Sequence, residues 1–194
     1  MSATAPAARP SARDRLLDAA DELFYEHGVH TVGIDRVIER AGVAKASLYK
    51  TFGSKDELIR AYLERRFERR RARVAEAFAR CETPRGRLLA VFDVICDALA
   101  QPNARGCAFI NAGAEAPLGG AIEQANDEYR RWVRALFREQ AEQAGVADPD
   151  ALAAQLALVY DGTAVSARMD HGSLDAAHAA RTAAEALVDA APRR

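Results

Sequence analysis

The stretch GIDRVIERAGVAKASLYKTFGSKDEL, residues 33–58, decides the fold of this chain. It has the pattern of two short amphipathic helices that are joined by a tight turn and followed by the start of a third helix. In the first helix the apolar residues fall on one face, and that face consists of Ile34, Val37, Ile38 and Ala41. Gly42 stands where a helix ends in left-handed backbone, and Val43 returns the chain to the core. The spacing therefore predicts a helix, a turn and a second helix.

The second short helix spans about Lys45 to Phe52 and directs polar side chains outward. Its pattern buries Leu48 and Phe52 and exposes Lys45, Ser47, Tyr49 and Lys50. Gly53 ends this helix, and Ser54 begins the next one as an N-cap, with a glutamate three residues later to complete a capping box. A short helix of this kind, with outward donors, is the reading element of a DNA-binding helix-turn-helix. The alternative is a helical hairpin within a bundle, whose lysines serve solubility.

The segment AGVAKASLYKTFGSKDEL, residues 41–58, resembles the signature of the TetR family of one-component transcriptional regulators. The shared features are LYxxF in the recognition helix and SKxxL at the start of the fourth helix. The resemblance begins near Ser11 and continues more loosely to the C-terminus. Two positions depart from the family pattern: Ala44 stands where Ser or Thr is usual, and Val32 stands where Thr is usual. Each departure removes a hydroxyl that would cap a helix or contact a phosphate, although Thr31 is one residue away.

The resemblance implies an all-α homodimer with an N-terminal three-helix DNA-binding domain and a C-terminal helical domain for ligand binding and dimerisation. We expect a disordered arm at residues 1–10, the helix-turn-helix domain at 11–54, and the second domain at 55–194, with the fourth helix as the connector. The expected DNA contacts divide into two groups. Base edges or the adjacent backbone would be contacted by Lys45, Ala46, Ser47 and Lys50, and phosphates by Thr31, Tyr49 and Lys55.

Composition agrees with a helical protein that acts inside the cell. Of the 194 residues 49% are apolar, and alanine is common. No apolar run approaches the ~20 residues that a membrane span needs, and the first residues lack the apolar middle of a secretory signal. We therefore predict a cytoplasmic location and no membrane partner. The net charge of −1 does not by itself indicate nucleic-acid binding, so a DNA contact would need a local basic surface.

Further helices are marked by caps and apolar periodicity. The fourth runs from Lys55 to about Arg80 and carries the basic run RRFERRRAR, most of whose arginines we assign to a solvated face. Thr83 with Pro84, and Asp148 with Pro149, are caps followed by proline at the first helical position. Ser173 opens the last helix. The Ala-rich helices around 150–169 and 174–190 could form an internal hairpin; in the family such a pair forms a four-helix dimer interface.

The segment RGCAFINAGAEAP, residues 105–117, predicts a short apolar helix that Gly113 breaks and Pro117 closes. In the family this region often lines an effector pocket, for which we expect a small, largely apolar molecule. The alternatives are that Asn111 and Glu115 cap the helix or face water, and that the aromatic residues are core. The expected ligand-binding residues are Phe109, Asn111, Glu115, Tyr129, Trp132 and Tyr160.

Other kinds of site find little support in the sequence. His171 and His178 lie near several aspartates, but His and Asp are common at helix ends without a metal. Cys107 follows Arg105 and could be a reactive thiol, although its apolar neighbours favour a buried, inert one. No phosphate loop, GxSxG or HExxH motif indicates catalysis, and no cofactor is expected. The leading interpretation is a ligand-released repressor; the rivals are a small-molecule carrier or enzyme and a protein-interaction module.

Overall fold

The computed structural model describes residues 10–115, 119–170 and 173–194, and of Glu115 it describes the backbone alone. The arm predicted for residues 1–10 therefore lies, except for Pro10, outside the described residues, as do Pro117 and His171. Within the described residues the chain is all-α, as predicted. The helices are α1 (Ala12–His27), α2 (Ile34–Ala41), α3 (Lys45–Phe52), α4 (Lys55–Ala79), α5 (Pro84–Leu99), α6 (Ala108–Glu115), α7 (Ala121–Gln143), α8 (Pro149–Met169) and α9 (Asp175–Ala190).

The chain groups into two compact units, Met1–Tyr62 and Leu63–Arg194, and α4 contains residues of both. The first unit holds α1, α2, α3 and the first turns of α4. The second unit holds the rest of the helices. The domain boundary after residue 54 stays a prediction; the first turns of α4 pack within the first unit.

The predicted helix starts and stops are confirmed in most cases by the backbone and the caps. Ser54 Oγ accepts a hydrogen bond from Glu57 N at 3.1 Å, Thr83 Oγ1 accepts from Gly86 N at 3.1 Å, and Asp148 Oδ1 accepts from Ala151 N at 3.0 Å. Gly42 ends α2 with φ of 61°, in the left-handed region where glycine costs little. These side chains satisfy amide groups that the first turn of a helix leaves without partners.

The first unit has a core of aliphatic and aromatic side chains from all four helices. Leu16 and Ala20 of α1, Val37 of α2 and Leu48 of α3 are each fully buried. Phe24 and Tyr62 meet edge to face, with ring centroids 5.7 Å apart. Burial of side chains of this size contributes about 1.5–3 kcal/mol each, so the short helices are held mainly by packing.

The second unit is a helical bundle in which α5, α7, α8 and α9 share one core. The Phe92 and Phe137 rings stack at 5.7 Å, and Tyr160 meets both rings at an edge, at 6.2 and 6.1 Å. Small buried residues on α9, among them Ala177, Ala180 and Ala184, contribute to the core. The last residues are fixed beside the loop between α7 and α8, because Ala147 N donates to Pro192 O at 2.8 Å and Arg194 N donates to Gly145 O at 2.9 Å.

Two predicted details are wrong. Gly113 does not break the sixth helix, because α6 runs through it from Ala108 to Glu115. The glycine instead allows a close approach of α7: a Cβ atom at this position would lie 2.2 Å from Asn126 Nδ2. The last helix begins at Asp175 rather than at Ser173, whose Oγ accepts a hydrogen bond from Asp175 N at 3.1 Å.

Among the described residues, no helix is both long enough and apolar enough to cross a membrane.

Candidate functional site

Helix α3 has one buried side and one side that presents polar groups to solvent. Leu48 is fully buried and anchors the helix. Lys45, Ala46 and Lys50 are exposed, and Tyr49 keeps 46% of its surface exposed although it is a large aromatic residue. Ser47 is half-buried. An eight-residue helix with this distribution fits the major groove of B-DNA, which admits an α-helix and displays donors and acceptors along its floor.

The two departures from the family pattern differ in their consequences. Ala44 is the N-cap of α3, with extended backbone, and forms no side-chain capping bond. Here the missing hydroxyl leaves an amide of the first turn available to another acceptor. Val32, by contrast, is fully buried, so its side chain belongs to the core and presents nothing to a phosphate. Thr31 beside it is exposed. Of the neighbours Thr31 and Val32, Thr31 is therefore the residue positioned for an external contact.

Lys45 is held by a carboxylate of the preceding helix, which the sequence analysis missed. Its Nζ lies 3.0 Å from Asp35 Oδ1, and both side chains are largely exposed, at 59% and 84%. The hydrogen bond that Lys45 donates to Asp35 raises the pKa of Lys45, so the lysine stays protonated. Because solvent-exposed pairs contribute little free energy, a phosphate or base could compete for this ammonium group. A charged pair ten positions apart across a turn gives no periodic signal in the sequence.

The other basic side chains of α1 and α2 mostly stabilise the unit itself. Arg15 Nη1 donates to Gly42 O at 3.0 Å and caps the end of α2. Arg40 forms a two-pronged ion pair with Glu22, at 2.7 Å for its shortest contact. In contrast, Lys50 and Lys55 have no ion pair within the described ranges. They are therefore the lysines whose charge is most available to an external anion.

A second cluster of interest consists of aromatic side chains in the second unit. The Phe109 and Tyr129 rings stack in parallel, with centroids 3.9 Å apart and planes 3° apart. Phe67 meets Tyr129 at 5.7 Å and Trp132 at 5.3 Å, both edge to face. The hydroxyls of Tyr129 and Tyr160 are 2.9 Å apart. Four of the six residues predicted to bind ligand, Phe109, Tyr129, Trp132 and Tyr160, thus belong to one connected cluster.

Of the two polar residues predicted to bind ligand, Asn111 forms its hydrogen bond outside this cluster. Asn111 Nδ2 donates to Arg105 O at 2.8 Å, which ties the side chain to the preceding loop. The side chain of Glu115 lies outside the described residues. The structure adds two polar residues that sequence reasoning missed. Arg70 Nη1 donates to the Tyr160 hydroxyl at 2.8 Å, and Asn126 lies against Gly113 of α6.

Arg70 is an exception within the basic run of α4. Most of these arginines were assigned to a solvated face, but Arg70 is half-buried and hydrogen-bonded to the tyrosine pair. Burial raises the pKa of Tyr129 well above its ordinary value, so both hydroxyls stay protonated at neutral pH. The sequence contains a signal for the burial of Arg70: it lies three residues after Phe67 and therefore on the same face of α4.

Cys107 lies near the tyrosine pair and has the character of an unreactive thiol. Burial raises its pKa above the ordinary value, which disfavours the nucleophilic thiolate. All three cysteines are free of disulfides. The structure thus favours the inert interpretation of Cys107 over the reactive one.

Comparison with known proteins decides the identity of the family. The sequence model described as "Bacterial regulatory proteins, tetR family" matches residues 16–62, the part of the chain that holds α2 and α3. A solved structure of a TetR-family transcriptional regulator from Streptomyces coelicolor is 34% identical, covers 92% of this chain and 94% of its own, and superposes with a TM-score of 0.87. The chain belongs to the TetR family.

Two further relatives match about half of the chain. FasR of Mycolicibacterium smegmatis, an HTH-type transcriptional activator, is 38% identical over 89 residues, which are 46% of this chain and 41% of FasR. ComR of Escherichia coli, an HTH-type transcriptional repressor, is 31% identical over 101 residues, which are 51% of this chain and 48% of ComR. The chain thus aligns with less than half the length of each of these two relatives.

Membership of the TetR family establishes the broad function. The chain is a DNA-binding transcriptional regulator with a helix-turn-helix, and its relatives are regulators rather than enzymes. The enzyme alternative is therefore wrong. The two relatives named above act with opposite sign, one as an activator and one as a repressor, so similarity to them does not choose between these roles.

Proposed function

We propose that this TetR-family regulator binds a near-palindromic operator as a homodimer and is released from it by a small, largely apolar effector. The observation that carries the proposal is the two-sided character of α3. Leu48 fixes the helix in the core while Lys45, Tyr49 and Lys50 face outward. A homodimer would place one such helix in each of two successive major grooves, roughly 34–36 Å apart.

Residues of α3 would read the operator, and the flanking residues would hold its phosphates. Lys45, Ala46, Ser47 and Lys50 would contact base edges or the adjacent backbone. Thr31, Tyr49 and Lys55 would contact phosphates. Lys55 supports this assignment in a specific way: a lysine in the first turn of α4 opposes the helix dipole, a small cost that binding an anion would offset.

The exposed face of α8 supports a dimer with a second copy of the chain. Leu158 is 75% exposed, Met169 is 72% exposed and Val165 is 41% exposed. The spacing of these residues along α8 puts them on one side of the helix, and small residues on α9 such as Ala179 and Ala186 are exposed as well. An apolar stripe beside small residues suits a closely packed interface between two copies of a helix pair. We propose this face, α8 with α9, as the dimer interface.

The aromatic cluster of the second unit is our candidate for the effector site. It combines apolar walls with a few polar groups, as small-molecule sites do. The effector would contact Phe109, Tyr129, Trp132 and Tyr160, with Asn111 and Glu115 at its border. Arg70, which donates a hydrogen bond to Tyr160 of this cluster, lies on α4, and the first residue of α4 is Lys55. A ligand that favours a different position of α4 would lower operator affinity by shifting the population of conformers.

We propose repression as the sign of regulation, since a dimer on an operator blocks transcription without further contacts. A regulator that binds chromosomal DNA would also act in the cytoplasm of a bacterial cell. An activator would instead raise transcription of a reporter when the operator lies upstream of the promoter. The two signs are distinguished by deleting the regulator and measuring transcription of the reporter with and without it.

The experiment that tests the proposal is selection of bound duplexes from a random DNA library, followed by affinity measurements across a salt series. We expect an enriched near-palindrome, bound by two copies of the chain, with an affinity that falls steeply as salt rises. The absence of any enriched sequence would refute operator binding. A matched control is the variant Lys50→Ala with Lys55→Ala, which should fold normally but recover no palindrome.

A further inference from the structure

The contact between α6 and α7 contains two parallel aromatic rings at its centre. Phe109 of α6 and Tyr129 of α7 are both buried, and their rings lie 3.9 Å apart with nearly parallel planes. Phe67 lies beside the pair, with its ring nearly perpendicular to both, at centroid distances of 6.4 Å from Phe109 and 5.7 Å from Tyr129. If the two parallel rings separate, a third flat ring can stack on the face of each.

One helical turn away along α7, the contact between α6 and α7 contains an asparagine whose side-chain oxygen accepts no hydrogen bond among the described residues. Asn126 lies against Gly113, and a Cβ atom at Gly113 would come within 2.2 Å of its amide nitrogen. The Oδ1 atom of Asn126 is buried and has no hydrogen-bond partner in the part of the chain that the structure describes. A buried acceptor without a donor destabilises a protein, so a ligand that supplies a donor gains affinity there.

The far side of Tyr129 is polar as well. Its hydroxyl contacts that of Tyr160, and the Tyr160 hydroxyl accepts a hydrogen bond from Arg70 at 2.8 Å. This chain of hydrogen bonds fixes the Tyr129 ring, so that α7 provides a rigid wall. On the opposite wall, Phe109 belongs to the eight-residue helix α6. A ligand entering between the rings would therefore displace Phe109 rather than Tyr129.

We propose that the effector is a small planar aromatic molecule that carries a hydrogen-bond donor. It binds between α6 and α7, separates Phe109 from Tyr129, stacks between the two rings and donates to Asn126 Oδ1. This inference rests on the proposed function, since it specifies the ligand class of the proposed effector site. One contact between two rings is replaced by two such contacts, and the unused acceptor gains its donor. A saturated ring cannot stack, and a ring without a donor leaves Asn126 unsatisfied.

The test compares three probes that differ in one property each. They are 2-naphthol, which is flat and has a donor; its methyl ether, which is flat and has none; and decahydro-2-naphthol, which has a donor but is not flat. Each is titrated into the full chain by calorimetry. We expect 2-naphthol to bind roughly tenfold or more tightly than either of the other two, as the loss of a buried hydrogen bond or of ring stacking predicts.

Three variants assign the effect to the contact itself. Asn126→Leu should abolish the preference for 2-naphthol over its methyl ether and leave the preference for flat rings. Phe109→Leu should reduce the preference for flat rings. The matched control is Gln140→Leu, because Gln140 is also a buried amide on α7 with an unused Oε1 atom. It should change neither preference, and the thermal midpoint of each variant shows that it is folded.

The outcomes separate this inference from the proposed function. Equal binding of the flat and saturated alcohols, no binding of any probe, or unchanged preferences in Asn126→Leu would overturn the ligand class, even if the chain binds an operator. Binding of 2-naphthol as expected, with no effect on a selected operator complex, would support the ligand class and contradict effector-controlled release. Binding of 2-naphthol together with release of the operator would support both.

Discussion

Helices α3 and α8 both expose side chains that contribute little to the stability of a single copy of the chain, but the chemistry of the two surfaces is opposite. On α3 most of the exposed residues are charged or carry a hydroxyl, as Lys45, Tyr49 and Lys50 do. On α8 the large exposed side chains of one side are apolar, with Leu158 and Met169 more than two thirds exposed. The first surface suits a hydrated, charged polymer, and the second suits a dry contact with another helix.

The difference between the surfaces predicts how each interaction responds to conditions. Contacts to phosphates release counterions, so DNA affinity falls as salt rises. Burial of apolar area is nearly independent of moderate salt, and it weakens on cooling because its driving force is largely entropic. The same chain should therefore lose its operator at a salt concentration that leaves its proposed dimer intact.

The largest expected effect comes from charging the aliphatic surface. In Leu158→Asp a carboxylate replaces an exposed leucine on α8, and in a symmetric dimer the change occurs twice. Removing the two leucine side chains that the dimer would bury costs about 3–6 kcal/mol, which raises the dimer dissociation constant by a factor of roughly 10²–10⁴. Sedimentation of the purified variant should show a folded monomer. Gln155→Asp, which places the same charge one turn away on an already polar position, is the control, and a variant that stays as dimeric as this control would refute the α8 interface.

An intermediate effect is expected when charge is removed beside α3. Lys55→Ala should weaken binding to all duplexes alike, because a phosphate contact carries no sequence information. The salt slope should fall by about one for each copy, and thus by about two for a dimer on its operator. Affinity for the selected operator and for an unrelated duplex is measured across the same salt series. If the loss were confined to the operator, Lys55 would be a base contact instead.

A smaller effect is expected from one hydroxyl of the same surface. Tyr49→Phe keeps the ring and removes the proposed phosphate donor, so each half-site should lose about 1 kcal/mol, roughly fivefold in affinity. Because Tyr49 is 46% exposed, the stability of the first unit should not change. The comparison is Tyr62→Phe, a fully internal tyrosine of the same unit, which should leave DNA affinity as it is. Unchanged affinity in Tyr49→Phe would remove that residue from the interface.

The two surfaces also differ in how far the sequence predicts them. The α3 surface follows from local signals: the apolar period around Leu48, the left-handed Gly42 and the cap at Ser54 all act within a few residues. The aliphatic residues on α8 are harder to assign. Leu152 and Leu156 mark the buried face, and the remaining apolar positions could belong to any Ala-rich helix. Only the packed structure separates the aliphatic residues that the core uses from those left outside.

The aromatic cluster is predicted in part for a similar reason. Tyr129 and Trp132 stand out as an aromatic pair on a helical period, and Phe109 stands out in an apolar segment. The partners that give the site its polarity come from elsewhere in the chain. Arg70 is masked by the basic residues around it, and the contact of Asn126 with Gly113 depends on the crossing of two helices. A glycine inside a helix predicts a break or a close approach, and the sequence does not decide between them.

The smallest effect concerns the ion pairs that join α5 to α9, and it tests whether surface charge matters outside the DNA-binding unit. Arg85 contacts Asp189 at 2.7 Å and Glu185 at 2.8 Å, and its guanidinium lowers the pKa of both carboxyl groups below the ordinary values of 3.8 and 4.5. A carboxyl group whose pKa is lowered in the folded state stabilises the protein at pH values above its ordinary pKa, and this stabilisation is lost as pH falls through the lowered pKa.

Urea unfolding of the parent chain should therefore show a slightly steeper loss of stability between about pH 5 and pH 3 than Arg85→Gln shows. Arg134→Gln removes the same charge from a residue without an ion pair among the described residues, so it should retain the steeper profile. Identical profiles for all three proteins would mean that solvent screening cancels the ion pairs of Arg85.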